Sequence, residues 1–146
     1  MQKYNTEFKI QLQSHGDTPV HIRHGLGDTD SDLIITGSEI LRLGHDLFAG
    51  PQKFILDFHN KTDADPAQAL EIVSVSFEGF TLDRFKWNSR YYPAYPEPWA
   101  SEQTEPLPEY QSSATYLGWN GRWILYFDVP VFTWIHKLEN LGWIYD

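Results

Sequence analysis

The chain has 146 residues, with 11 Lys and Arg against 20 Asp and Glu for a formal charge of −9, and it contains no Cys. That length makes one domain, long enough for a self-supporting core, and the missing Cys excludes disulfides, zinc-thiolate sites, iron-sulfur clusters and thiol nucleophiles. The acidic balance argues against nucleic acid and anionic membranes as partners, because phosphate recognition depends on clustered Lys and Arg.

Met1 to Val20 holds no apolar core of signal-peptide length, and no stretch approaches a membrane span. The expectation is a protein made in the cytoplasm without an export signal. Along the chain, Phe8, Ile10 and Leu12 alternate with Glu7, Lys9, Gln11 and Gln13, the pattern of a half-buried strand. Short apolar runs at Val20 and Ile22, Leu33 to Ile35 and Ile40 to Leu43 follow, separated by Gly16, Gly25, Gly27, Gly37 and Gly44. Phe54, Leu56 and Phe58, then Val73, Val75 and Phe77, repeat the alternation on either side of a polar stretch from Asn60 to Pro66. Short strands at this spacing predict an all-β sandwich or barrel as a single domain over residues 1–146.

Aromatic residues are unevenly placed: five precede Val75, whereas the rest, including all six Trp, lie between Phe77 and Tyr145. Residues 90–113 carry five Pro together with Glu97, Glu102, Glu105 and Glu109, and are expected to form a long loop rather than a central strand. Asn120-Gly121, flanked by apolar runs, predicts a hairpin that pairs Trp119 with Arg122, Gly118 with Trp123 and Leu117 with Ile124. Both faces of that hairpin would be apolar and need cover. Val131, Trp134, Ile135, Leu138 and Leu141 recur at helical spacing after Pro130, and predict a short helix over 131–141.

Two acidic clusters are candidates for calcium. Asp28, Asp30 and Asp32 alternate, with Glu39 at the twelfth position; Leu33 in place of the usual Gly and strand-like flanks favour a solvated acidic turn. Asn60, Asp63 and Asp65 form the second cluster, for which a turn capped by Asx side chains is the simpler reading. His21 and His24 fall on opposite faces of a strand, poor geometry for one metal. The chain has no G-x-S-x-G elbow, P-loop or H-E-x-x-H, so a non-catalytic role is expected. Trp87, Tyr91, Tyr92, Tyr95, Trp99, Trp119, Trp134 and Trp143 are the candidate residues for an interface or a ligand, since Trp and Tyr join large rigid surfaces to a polar handle. Internal packing of the same residues is the alternative.

Phe54 to Lys61 together with Ala69 to Gly79 resembles the core strands of calcium-dependent, xylan-binding carbohydrate-binding modules, with Lys61 standing where that family has Asp. That resemblance implies a jelly-roll sandwich and a polysaccharide site built on calcium. The whole layout, with Tyr116-Leu117-Gly118-Trp119-Asn120-Gly121-Arg122-Trp123, Val129 to Ile135 and Glu139-Asn140-Leu141, more closely resembles small virion-associated proteins of tailed bacteriophages, cyanophages among them. It implies a structural or attachment component of a virion, in contact with other virion proteins or with copies of itself. A calcium-dependent polysaccharide-binding module is the alternative function, with a glycan as partner.

Overall fold

In a computed structural model of the protein, residues 2–26 and 29–139 are described. The chain runs β1 (Lys3–His15), β2 (Val20–Leu26), β3 (Thr29–Ile35), β4 (Ser38–Phe48), β5 (Gly50–Phe58), β6 (Ala69–Phe77), β7 (Phe80–Thr81), α1 (Asp83–Trp87), β8 (Ser89–Pro93), a 3-10 turn (Ala100–Glu102), β9 (Gln111–Ser112), β10 (Tyr116–Leu117), β11 (Gly121–Val129) and α2 (Val131–Leu138). Two antiparallel sheets form a sandwich. One is ordered β10-β6-β1-β4 with β7 beside β6, and the other β3-β2-β5-β11-β8-β9. The all-β, jelly-roll-like sandwich with a short C-terminal helix is therefore the fold.

The period-two patterns set which side chains meet between the sheets. Phe8, Ile10 and Leu12 of β1 and Phe54, Leu56 and Phe58 of β5 are all buried, as their alternation requires. Phe77 sits among four aromatic rings, with centroids 5.1 Å from Phe8, 5.2 Å from Phe85, 4.8 Å from Phe127 and 5.4 Å from Trp134. Trp134 of α2 also stacks on Phe85 of α1 at 5.3 Å, so the two short helices join the same core as the sheets. Val131, Trp134 and Ile135 are the buried side of α2, the face the helical spacing predicts. The helix ends at Leu138, and Leu141 lies outside the described residues.

Strand β6 departs from strict alternation. Opposite β1, Gln11 faces Ser74 but Leu12 faces Ile72, so Val73 is an extra residue. This bulge lets Ile72, Val75 and Phe77 all reach the core, in place of the expected Val73, and leaves Val73 only half-buried. The Lys86 ammonium donates to the Val73 carbonyl at 3.1 Å.

The expected Asn120-Gly121 hairpin does not form. Tyr116 and Leu117 pair with Glu71 and Leu70 in one sheet, whereas β11 pairs with β5 and β8 in the other. Asn120-Gly121 is instead where the chain crosses between layers, and both residues have a reason other than a two-residue turn. The Asn120 side chain accepts from the Lys61 amide at 2.7 Å and donates to the Lys61 carbonyl at 2.9 Å. At Gly121, an added Cβ would lie 2.5 Å from the Tyr92 carbonyl oxygen and 2.8 Å from Pro93 Cα, so β8 can approach only a glycine. Trp123, placed over Gly118 by the hairpin reading, is fully buried between the sheets and donates its indole N–H to the Ala114 carbonyl at 2.9 Å.

The predicted loop over 90–113 is likewise shorter than expected. Its first residues form β8 and its last include β9, inside the six-stranded sheet. Pro93 is tolerated because it ends β8, and the remaining prolines lie beyond it, where no ladder bond is needed.

Candidate functional site

The Asn60–Asp65 cluster does not assemble as a calcium site, because the loop is built around an internal cation. Lys61 is buried, and its ammonium donates to the carbonyls of Asp65 at 2.8 Å, Pro66 at 3.0 Å and Gln68 at 2.8 Å. The Asn60 and Asp65 side chains already hold backbone amides. Asn60 Oδ1 accepts from the His21 amide at 2.9 Å, and Asp65 Oδ2 accepts from the amides of Asp17 and Thr18 at 2.9 and 2.8 Å. These donors, led by Thr18, hold the Asp65 carboxyl below its ordinary pKa. Asp63 is exposed. Gln68 Oε1 is a buried oxygen without a donor among the described residues, one ligand where calcium takes roughly six to eight. The loop therefore does not fit the ion, and no group of three or more His, Cys, Asp or Glu among the described residues could hold a metal.

Asp30 and Asp32 lie on β3, where Arg23 pairs with them at 3.0 and 3.3 Å; Glu39 belongs to β4 in the other sheet, and Asp28 lies outside the described residues. An EF-hand-like loop is thus replaced by a strand pair.

The aromatic candidates divide. Tyr91 and Trp134 are core residues, 3% and 6% exposed. The Tyr91 hydroxyl donates to the Trp119 carbonyl, and burial pushes its pKa up to about 12. Trp119 is half-buried, with the Lys61 ammonium 5.9 Å from its ring centroid. Tyr95 and Trp99 stack on each other at 6.1 Å in the proline-rich loop, and Tyr95 donates to the Pro108 carbonyl at 2.6 Å. Trp87 and Trp99 are 49% and 46% exposed. Trp143 lies outside the described residues. Tyr92 stands on the outer face of the six-stranded sheet, which gathers more polar and aromatic groups than the aromatic pattern alone suggests.

Strand register builds that face. Asp32, Arg23, Asp57, Arg122 and Tyr92 stand side by side across five strands, so charges alternate along one row. The Arg122 guanidinium grips Asp57 with two bonds, at 2.8 and 3.1 Å, which holds Arg122 above its usual pKa. The next row sets Ile55, Ile124 and Arg90 beside one another. Arg90 lies 4.6 Å from the Tyr110 ring centroid and 5.7 Å from that of Tyr126, and Tyr92 and Tyr110 are 5.5 Å apart. Desolvation and a hydrogen bond with Tyr92 push the Tyr126 hydroxyl above its ordinary pKa.

A cleft of about 710 Å³ runs over this face between Arg23, Gln52, Lys53, Asp57, Arg122 and Tyr126. A second, of about 420 Å³, shares Tyr126 and continues past Arg90 to Trp87. His24 borders the first from the inner side of β2, and burial lowers its pKa against the opposing pull of Asp32 and Asp30. Ion pairs this exposed are screened by solvent, so the row adds little to stability while placing directed donors, acceptors and flat rings at the surface.

Of these groups the sequence reading singled out Tyr92 and Trp87 for contact, and Asp32 as a metal ligand. Arg23, Asp57, Arg90, Arg122 and Tyr126 become neighbours only through strand register. The one legible signal for them was their alternation with core residues. No helix among the described residues is long and apolar enough to cross a membrane. Comparison of the chain with protein-family models, with curated proteins and with solved structures finds no match.

Proposed function

We propose that the protein is a non-catalytic structural or attachment component of a tailed-phage virion, which docks on another virion protein through the outer face of its six-stranded sheet. The observation that carries this reading is the grouping of Arg90, Arg122, Tyr92, Tyr110, Tyr126 and exposed Trp87 on one side of the molecule. Arg, Tyr and Trp are the residues that dominate binding energy at protein interfaces. The phage-like layout of the C-terminal block supplies the virion context.

The test is the protein content of purified phage particles. The chain is expected in them by mass spectrometry, and an Arg90→Ala/Tyr126→Ala variant that keeps the wild-type melting temperature is expected to be depleted. Particles without the protein that form and attach normally would overturn the reading.

A second reading, polysaccharide binding without calcium, is favoured by the cleft beside the bidentate Asp57–Arg122 pair, where flat Tyr126 borders polar groups. Retardation in a polysaccharide gel that survives a chelator and is lost in Tyr126→Ala would support it.

A further inference from the structure

The other sheet ends in an edge of a different kind. Among the described residues β4 pairs with β1 alone, in an unbroken register from Lys3 opposite Phe48 to Gln13 opposite Ser38. Backbone N–H and C=O groups of alternate residues therefore face outward along the strand, with the Phe48 carbonyl at its end accepting from the Gln52 side chain at 2.9 Å. The remaining edges are shorter: β7, β9 and β10 have two residues each, and β3 has seven with its acids paired to Arg23. Strand β4 carries neither a proline nor a bulge to block pairing.

Its side chains are incompletely covered. Leu41 and Leu43 turn toward the core yet remain half-buried, and on the opposite face Ile40 and Phe48 are 45% and 43% exposed. Within the protomer Arg42 stands opposite Lys9, a like charge, and among the described residues Asp46 accepts a hydrogen bond from the side-chain amide of Asn5 at 3.2 Å. A Cβ at Gly44 would meet nothing within 4 Å, so packing inside the protomer gives no reason for a glycine there.

Read outward from Gly44 in both directions, the strand is complementary to itself. Antiparallel pairing with a second copy, centred on Gly44, sets Leu43 against His45, Arg42 against Asp46, Leu41 against Leu47 and Ile40 against Phe48, each pair occurring twice. Arg42 then gains a directly opposite acid where β1 sets Lys9, the exposed Ile40 and Phe48 cover each other, and glycine lies at the axis. Centring on Arg42 would oppose the two arginines, and centring on Leu43 would set Ile40 against Asp46. We propose that β4 is a homodimer interface, in which two copies pair antiparallel about a two-fold axis at Gly44 and merge their sheets. The interface lies on the sheet opposite the proposed docking face and does not depend on it.

Charge exchange tests the register. Light scattering after size exclusion, from micromolar to hundred-micromolar protein, is expected to give a dimer for the wild type. Arg42→Asp or Asp46→Arg alone is expected to weaken it roughly tenfold or more, because like charges replace opposite ones at two symmetric places. The double variant Arg42→Asp/Asp46→Arg restores each pair and with it the dimer. Circular dichroism melting of all three separates dissociation from unfolding, since both side chains are exposed. A monomer throughout the concentration range, an oligomer indifferent to the single changes, or single changes that the double variant fails to rescue would each overturn the proposal.

Discussion

Tyr91 shows how one buried hydroxyl couples strand β8 to the crossing between the layers. Its hydroxyl donates to the Trp119 carbonyl and lies 3.4 Å from that of Asn120, at the point where the chain leaves one sheet for the other. A phenol whose pKa is raised on folding from 10.0 to about 12 stabilises the protein fully below pH 10, because the folded state keeps a proton that the unfolded state gives up above it. Stability is therefore expected to fall as pH rises from 10 toward 12. In Tyr91→Phe that part of the alkaline slope disappears, at the cost of leaving the Trp119 carbonyl without its donor. Urea midpoints measured at several alkaline pH values check both effects. Tyr91 was legible as an aromatic of the second half, but its role was not. Burial in the core, rather than the contact surface, follows from its place opposite Trp123 in the sheet.

At the scale of the element, the loop between β5 and β6 is held by one side chain. Three carbonyls converge on the Lys61 ammonium, and the Asn120 side chain fixes the Lys61 backbone from the other layer. Lys61→Met keeps the length of the side chain and removes its donors. The Gln68 carbonyl is buried, and leaving it unpaired costs about 1–3 kcal/mol, so the urea midpoint of the variant is expected to drop accordingly, with the loop from Asn60 to Asp65 loosened. Excess calcium or a chelator is expected to leave the wild-type melting temperature unchanged, because the carbonyl cluster already holds a cation of its own. Chemical denaturation and calorimetry check these outcomes. The same loop explains Gly16: an added Cβ would sit 2.7 Å from both Asp65 Oδ2 and the Gln68 amide nitrogen, and its φ of +85° favours glycine. Neither constraint is visible in a list of acidic residues, which is why Asn60, Asp63 and Asp65 stood as candidates for a metal loop beside the simpler reading as an Asx-capped turn. A cluster of oxygens becomes a ligand set only when their lone pairs are left for the ion.

For the whole molecule, the core and the outer sheet face make opposite contributions. Phe77 touches rings from β1, α1, β11 and α2, so Phe77→Ala opens a cavity where both sheets and both helices meet. The expected loss is about 3–5 kcal/mol, a large part of the roughly 5–15 kcal/mol that holds a domain together. Arg122→Ala on the exposed row is expected to cost no more than about 1 kcal/mol. Equilibrium unfolding of the two variants side by side measures the contrast, and comparable losses would mean that the row is structural.

Strand periodicity along β1 and β5, the helical repeat of α2 and the acidic, cysteine-free composition are properties of local sequence, and they determined the fold class and the inward faces of those elements. Local pattern works there because alternation with period two, or recurrence at three and four, is set by backbone geometry alone. The fate of Asn120-Gly121, the bulge at Val73, the strand hidden at Ser89–Pro93 and the row from Asp32 to Tyr92 were decided by tertiary structure. Each depends on which strand lies alongside which, and that choice is made by non-local burial of Trp123, Leu117 and Phe77 rather than by any residue's neighbours in the chain.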